Sequence, residues 1–326
     1  MTQNSIVSTA LFTTTTISTI FCVAGIATLI CTSLLLLWTV YRIITKRSIP
    51  VVDFARRCMD YPFIKLTEYI MFRPEKLDDE LYTRWMSHSH VLNEKIKTKD
   101  GHTLDACLYR YDRQPSYSDD LIYLYSHGNS GWLGLVLESP TCRYLSKRAT
   151  LFIYDYRGYG KSEGSPSEDG LLSDALSAWE FLVYKKNVDP KKIVLFGHSL
   201  GTSITAHLAL HHVKTKTTFS NVLVLQNGFE SVRRVISDHS PVGGWFVKSK
   251  LNTKNFLKEI DTLTKDIRIV VIHSKDDKLI HVNHSHNLVN SMNSNDVKLL
   301  TVEGDHDEAK YDDNVHEHLS KLHDSL

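Results

Sequence analysis

Residue types able to perform nucleophilic catalysis recur at the ends of three apolar runs in this 326-residue chain. The first is Gly197-His198-Ser199-Leu200-Gly201, a Gly-x-Ser-x-Gly pentapeptide. A serine hydroxyl is a weak nucleophile until a base takes its proton, and the base in turn needs an acid to orient it. His273-Ser274-Lys275-Asp276-Asp277 ends the second run and Glu303-Gly304-Asp305-His306-Asp307 the third. The chain order serine, acid, histidine therefore assigns Ser199 as nucleophile, Asp277 as acid and His306 as base. Asp276 is adjacent and could face inward instead, so Asp277 is the preferred member of a pair.

A developing negative charge on a carbonyl oxygen needs preset N–H donors. The residue after the nucleophile, Leu200, supplies one backbone N–H. The loop Ser126-His127-Gly128-Asn129-Ser130-Gly131 follows an earlier strand and supplies the other, placed at Asn129. His127 reads as a prop for that loop, not a second base. The competing readings are plain: a glycine-rich turn closing a core strand at Ser199, and a solvated loop histidine at 306. His306, Asp307, His316 and His318 are too irregularly spaced for a metal site, so no metal is expected. His281, His284, His286, His316 and His318 fall within expected helices and read as surface residues.

These side chains need a scaffold that brings distant strand ends together. Residues 192–196 form a short apolar, β-branched run bounded by charge, the mark of a buried strand, and 202–210 have helical character. A serine between them sits on a strand-to-helix turn so tight that only small residues fit two positions to either side. Strands are expected at 93–98 and 103–111 around Asp100-Gly101, then at 121–126, 151–154, 221–226, 267–272 and 297–302. Helices are expected at 133–147, 170–184, 279–292 and from 314 onward. Strands alternating with helices after an antiparallel opening predict a mostly parallel α/β sheet covered on both faces.

Composition excludes little beyond nucleic acid: the formal net charge is +1, and no basic stripe interleaves with aromatics. The five cysteines, at 22, 31, 58, 107 and 142, show neither metal-ligand spacing nor a disulfide framework. Residue 58, near the apolar run described next, could carry a palmitoyl group or be a buried thiol.

The N-terminal region differs in kind. Residues 1–16 read as a polar tail, and 17–41 form an uncharged, mostly apolar run long enough to cross a bilayer, ending in Trp38 and Tyr41. It is longer than a signal peptide's apolar core and lacks a basic start. A single-pass membrane protein is therefore expected, with 42–92 as a connector and 93–326 as the folded domain. Arg42, Lys46, Arg47, Arg56 and Arg57 follow the run, and the positive-inside rule then puts the domain in the cytosol. The sequon Asn283-His284-Ser285 would be available if the orientation were reversed.

His127-Gly128-Asn129, the run from Tyr154 to Gly164 (Tyr-Asp-Tyr-Arg-Gly-Tyr-Gly-Lys-Ser-Glu-Gly) and the Ser199 elbow together resemble the α/β-hydrolase family. More narrowly they are similar to its membrane-anchored "alpha/beta hydrolase domain-containing" branch, which includes lysophospholipid and monoacylglycerol lipases and acyl-protein depalmitoylases. The resemblance covers about residue 93 to the C-terminus. It implies a Ser199–Asp277–His306 triad, a structural role for the Asp155–Ser162 turn motif, and a lumenal domain, opposite to the charge rule. A small residue commonly precedes the histidine in this family; here Asp305 stands there and could make an extra acid contact at the site.

Residues 228–266 are longer than an ordinary connection and carry Val242-Gly243-Gly244-Trp245-Phe246-Val247, so they are expected to form a small apolar cap. An anchored enzyme with such a cap fits an acyl-chain substrate that partitions into a bilayer. The leading expectation is an ester hydrolase acting on glycerolipids or lysophospholipids, with the bilayer as a partner and no cofactor. The rivals are an acyl-protein thioesterase and a catalytically silent scaffold. Dehalogenase or epoxide hydrolase chemistry would need an aspartate where Ser199 stands.

Overall fold

The computed structural model describes residues 74–119, 121–293 and 296–323, together with Glu68, Met71 and Phe72. The polar tail 1–16, the apolar run 17–41, residue 58 and most of the connector lie outside the described residues. Among the described residues no helix is long and apolar enough to cross a membrane.

A short helix, α1 (Asp79–Met86), precedes an antiparallel hairpin of β1 (Val91–Lys97) and β2 (Thr103–Tyr109). Then follow β3 (Ile122–Ser126), α2 (Leu133–Glu138), α3 (Pro140–Ser146), β4 (Thr150–Tyr154), α4 (Glu168–Glu180), β5 (Ile193–His198) and α5 (Leu200–Thr215). The remainder is β6 (Val222–Gln226), α6 (Val232–His239), α7 (Pro241–Phe246), α8 (Thr253–Leu263), β7 (Arg268–Ser274), α9 (Asn283–Val289), β8 (Val297–Val302) and α10 (Asp313–His323). The strands form one eight-stranded sheet in the order β1-β2-β4-β3-β5-β6-β7-β8. β2 runs antiparallel to both neighbours, and every pair from β4 to β8 is parallel.

Because successive strand residues point to opposite faces, the apolar runs divide between two cores. Leu195, Leu223, Leu225 and Leu124 face Ile204 and Leu208 of α5, Trp179 of α4 and Leu257 of α8. Phe196, Val194, Val224 and Ile272 face Leu133 of α2, Leu145 of α3 and Leu319 of α10. Both faces are covered, which is why the central strands read as continuous apolar stretches instead of alternating ones.

The helix expected over 133–147 is two helices. Ser139 is extended (φ −65°, ψ 146°) because the ring of Pro140 disfavours helical backbone in the residue before it. Pro140 then opens α3, and the Ser139 hydroxyl accepts the Cys142 N–H at 3.1 Å as an N-cap. The helix expected over 279–292 is likewise shorter, confined to α9.

The turn motif after β4 is an ion-pair centre. Arg157 donates from Nη2 to Asp174 on α4 at 2.8 Å and from Nη1 to Asp100 of the hairpin turn at 2.7 Å. Gly158 and Gly160 both have positive φ, where a side chain is strained. Between β6 and β7 lie α6, α7 and α8, on the segment expected to cap the site, with Val242 and Trp245 of α7 exposed.

Candidate active site

The pentapeptide around Ser199 forms the turn from β5 into α5. Ser199 has φ 52° and ψ −115°, a conformation that non-glycine residues rarely adopt. The flanking glycines are required by contact. A Cβ on Gly197 would lie 2.4 Å from the Gly201 carbonyl oxygen, and one on Gly201 would lie 1.9 Å from that of Ser126 on β3. The Ser199 N–H donates to Gln226 O at 2.9 Å, tying the elbow to the end of β6.

His306 Nε2 lies 2.8 Å from Ser199 Oγ, and its Nδ1 lies 2.7 Å from Asp277 Oδ2. The carboxylate can only accept, so the proton belongs on Nδ1 and leaves Nε2 bare toward the serine hydroxyl. Asp277, not Asp276, faces the imidazole; Asp276 is exposed at the head of the turn. Asp277 Oδ1 accepts the N–H groups of Leu279 and Ile280 at 2.9 and 2.8 Å. Burial raises a carboxyl's pKa, yet hydrogen bonds from His273, His306 and the Ile280 amide together outweigh it. Asp277 consequently sits well below the ordinary carboxylate range.

Three supporting residues were not singled out from the sequence. His273, fully buried at the end of β7, has its Nε2 2.8 Å from Ile280 O and 3.4 Å from Asp277 Oδ2. Both partners are acceptors, which fixes the proton on Nε2; Nδ1 then accepts from Ser285 Oγ at 2.6 Å. His198 immediately precedes Ser199 and donates from Nε2 to the His306 carbonyl at 3.0 Å. Burial first, and the neighbouring His306 second, push its pKa down to about 4, so it stays neutral. Asn227, just past β6, completes the set through contacts to Ser274 and His306. The only local signal for these residues was that each sits at or next to a strand end.

The amide of Leu200 opens α5 at its positive end, where the first N–H groups have no acceptor within the helix. Asn129 lies in the loop after β3. Its side chain is held at both ends: Oδ1 accepts from Tyr159 Oη at 2.9 Å, and Nδ2 donates to the Met71 carbonyl. His127 props this loop from beneath, with Nδ1 2.7 Å from Gly128 O, while Tyr156 Oη donates to its backbone carbonyl. Burial holds His127 down to about 4 as well. Its Nε2 sits 3.6 Å from Asp155 Oδ1, whose carboxyl is pushed well up by burial and then by Asp105.

Two expectations are corrected here. Asp305 does not turn toward His306: its Oδ1 accepts the N–H groups of Asp307 and Glu308, capping its own loop. His284 is not a surface residue. It is buried, with Nε2 3.0 Å from Asp238 and Nδ1 accepting the Glu230 N–H. Among the described residues, donor atoms of His198, His306 and Asp307 come within 4.8 Å of one another, but His306 has committed both nitrogens to Asp277 and Ser199.

A family model described as alpha/beta hydrolase fold matches residues 124–225, the stretch from β3 through the elbow to β6. The chain is 27% identical over 236 residues to the uncharacterized protein YfhR of Escherichia coli O157:H7, spanning 71% of this chain and 78% of that protein. It is 28% identical over 221 residues to lysophosphatidylserine lipase ABHD12 of Danio rerio, spanning 60% of this chain and 56% of that one. An alpha-beta hydrolase from Vibrio vulnificus has a similar structure: TM-score 0.61, 17% identity, 86% of this chain and 95% of that chain. A parallel sheet wrapped on both faces, with a serine elbow at its centre, defines a class. The chain is similar to α/β hydrolases in sequence over residues 124–225 and in fold over most of its length.

Proposed function

We propose that this chain is a serine hydrolase that cleaves carboxylic esters of acyl chains, glycerolipid or lysophospholipid in type. The observation that carries the reading is the unbroken relay from Ser199 Oγ through His306 to Asp277, with separations of 2.8 and 2.7 Å. Such a relay is what converts a hydroxyl into an acylation nucleophile.

Ser199 Oγ attacks the ester carbonyl carbon while His306 Nε2 takes the hydroxyl proton. The carbonyl oxygen becomes an oxyanion received by the N–H groups of Leu200 and Asn129. Collapse of the tetrahedral species breaks the bond to the leaving alcohol, which takes its proton from His306 and leaves an acyl-Ser199 ester. Water, deprotonated by His306, then attacks that ester; the acid product departs and the serine proton is restored. Asp277 stays ionised throughout, holding the imidazole tautomer and stabilising its cation. The residues present complete the reaction without a cofactor.

Support for a lipid-like substrate comes from the cap segment. Trp245 is 78% and Val242 64% exposed on α7, and Leu279, two residues beyond the triad acid, is 55% exposed. The similarity to a lysophosphatidylserine lipase points the same way. Residues 17–41 would tether the domain beside such substrates, in the cytosol by the charge rule or in the lumen by the family resemblance. Thioester cleavage on acylated proteins uses the same site and is the second reading.

The test is labelling of the full chain by a fluorophosphonate probe, with Ser199→Ala alongside. Labelling that vanishes in the variant supports the reading, and a long-chain lysophospholipid and a short water-soluble ester are then compared as substrates. Turnover of the short ester alone would count against the lipid assignment. An unlabelled, folded wild-type chain would leave a silent scaffold as the reading.

A further inference from the structure

We infer that the segment entering the domain, through Glu68, Met71 and Phe72, is a positioning element of the oxyanion loop, so that part of the active site is held by the chain leading from the apolar run 17–41. The inference rests on Asn129 acting as an oxyanion donor, as proposed above.

The contact is specific. An N–H aimed at a developing charge works only if its peptide plane is fixed before the reaction. The Asn129 side chain is fixed from opposite sides, by Tyr159 after β4 and by the Met71 carbonyl ahead of the domain. Met71 is itself seated by its neighbour. The Phe72 N–H donates to Glu68 O at 2.8 Å, and the Phe72 ring is 6% exposed, within the apolar core that includes Tyr159 and Leu200.

A second connection runs from the same segment to the cap. The Glu68 carboxylate accepts the N–H of Glu168 at 3.0 Å. That amide belongs to the first turn of α4, where helix geometry supplies no acceptor. The Glu168 carboxylate in turn accepts from Lys250 N at 2.7 Å and from Ser249 Oγ, both between α7 and α8. One short segment therefore braces the oxyanion loop on one side and the cap's return strand of chain on the other. Unseating it frees the Asn129 amide to rotate while Ser199, His306 and Asp277 keep their places.

The experiment uses the full chain with Glu68→Leu, Glu68→Gln and Phe72→Ala. Three quantities are read: kcat and KM on p-nitrophenyl butyrate, the inhibition constant of an alkyl trifluoromethyl ketone, and that of the matching alcohol. The ketone adds to Ser199 and places an oxyanion in the hole, whereas the alcohol only occupies the pocket. Glu68→Leu and Phe72→Ala should lower kcat by ~10- to 100-fold and weaken the ketone by the same factor, with KM and alcohol binding unchanged. Glu68→Gln keeps an acceptor oxygen for the Glu168 N–H and should retain activity. Unchanged kcat and ketone affinity in folded Glu68→Leu would overturn the inference, as would equal loss of ketone and alcohol binding. A wild-type chain inert to fluorophosphonate, ester and ketone alike fails at the hydrolase reading instead.

Discussion

The side-chain amide of Asn227 donates to the backbone carbonyl of His306 at 2.6 Å. The same residue accepts the Ser274 N–H on Oδ1 at 2.8 Å and reaches Ser274 Oγ from Nδ2 at 3.2 Å. Asn227 has φ 49°, a left-handed conformation that asparagine tolerates better than most side chains. One buried amide thus joins the ends of β6 and β7 to the loop that carries the proposed base.

Replacing Asn227 with alanine leaves the Ser274 N–H without its acceptor and releases the His306 carbonyl to His198 alone. We expect a stability loss of about 1–3 kcal/mol by urea unfolding, the usual cost of an orphaned buried polar group. Ester turnover should fall ~10- to 100-fold because the base shifts against Ser199. A variant with wild-type kcat and reduced stability would show that the histidine loop holds itself.

Asp277→Asn and Asp276→Asn separate two adjacent acids. The amide at 277 presents an N–H or an uncharged oxygen to His306 Nδ1, so the imidazole loses its orientation and its counter-charge. Turnover should drop by roughly 10⁴-fold, the scale seen when a triad acid becomes an amide. Asp276→Asn, at an exposed position, should be indistinguishable from wild type in the same assay.

Stability should fall as the medium is acidified below pH 6.5. Burial lowers His127 and His198 to about 4 and His212 to about 3, against an ordinary value of 6.5. Each depressed pKa means that the unfolded chain binds the proton first. Their contribution is therefore present above pH 6.5 and is lost as pH falls through the folded values. His212, near the far end of α5 from Ser199 with its ring centroid 4.2 Å from that of Trp179, allows a clean check. His212→Phe should flatten the unfolding free energy against pH between 6 and 4 by about 1.4 kcal/mol per unit, one proton's worth.

Asp155 carries the opposite sign. Its carboxyl is fully buried, its pKa raised by burial and then by Asp105, and a Cβ on Gly160 would come within 1.9 Å of its Oδ2. A raised carboxyl favours folding at pH values below the ordinary 3.8 and loses that contribution as pH rises through the folded value. Asp155→Asn cannot ionise, so its Tm relative to wild type should climb from pH 4 to pH 8. A difference that stays flat across that range would show that Asp155 is charged in the fold.

The elbow was legible because everything it needs is local. The apolar run into Phe196, the glycines at 197 and 201 and the helical residues after Thr202 specify the turn within about twenty positions of one another. The placement of Asp277 and His306 beside Ser199 was legible from strand order. Their supports were not: Asn227 acts through partners 47 and 79 residues away, and His273 through Ile280 and Ser285 in the turn after β7, contacts that no pattern in the chain announces. His284 was misread for the same reason, since its burial follows from Glu230 and Asp238 arriving on the cap segment. The break at Ser139-Pro140 was written locally but lost within an apolar run that reads as helical throughout.

Ser199 is held at φ 52° and ψ −115°, a backbone state costing on the order of 1–3 kcal/mol for a residue with a side chain. Glycine would occupy it at almost no cost. A Ser199→Gly chain should therefore fold at least as stably as its parent while losing the hydroxyl on which the proposed attack depends.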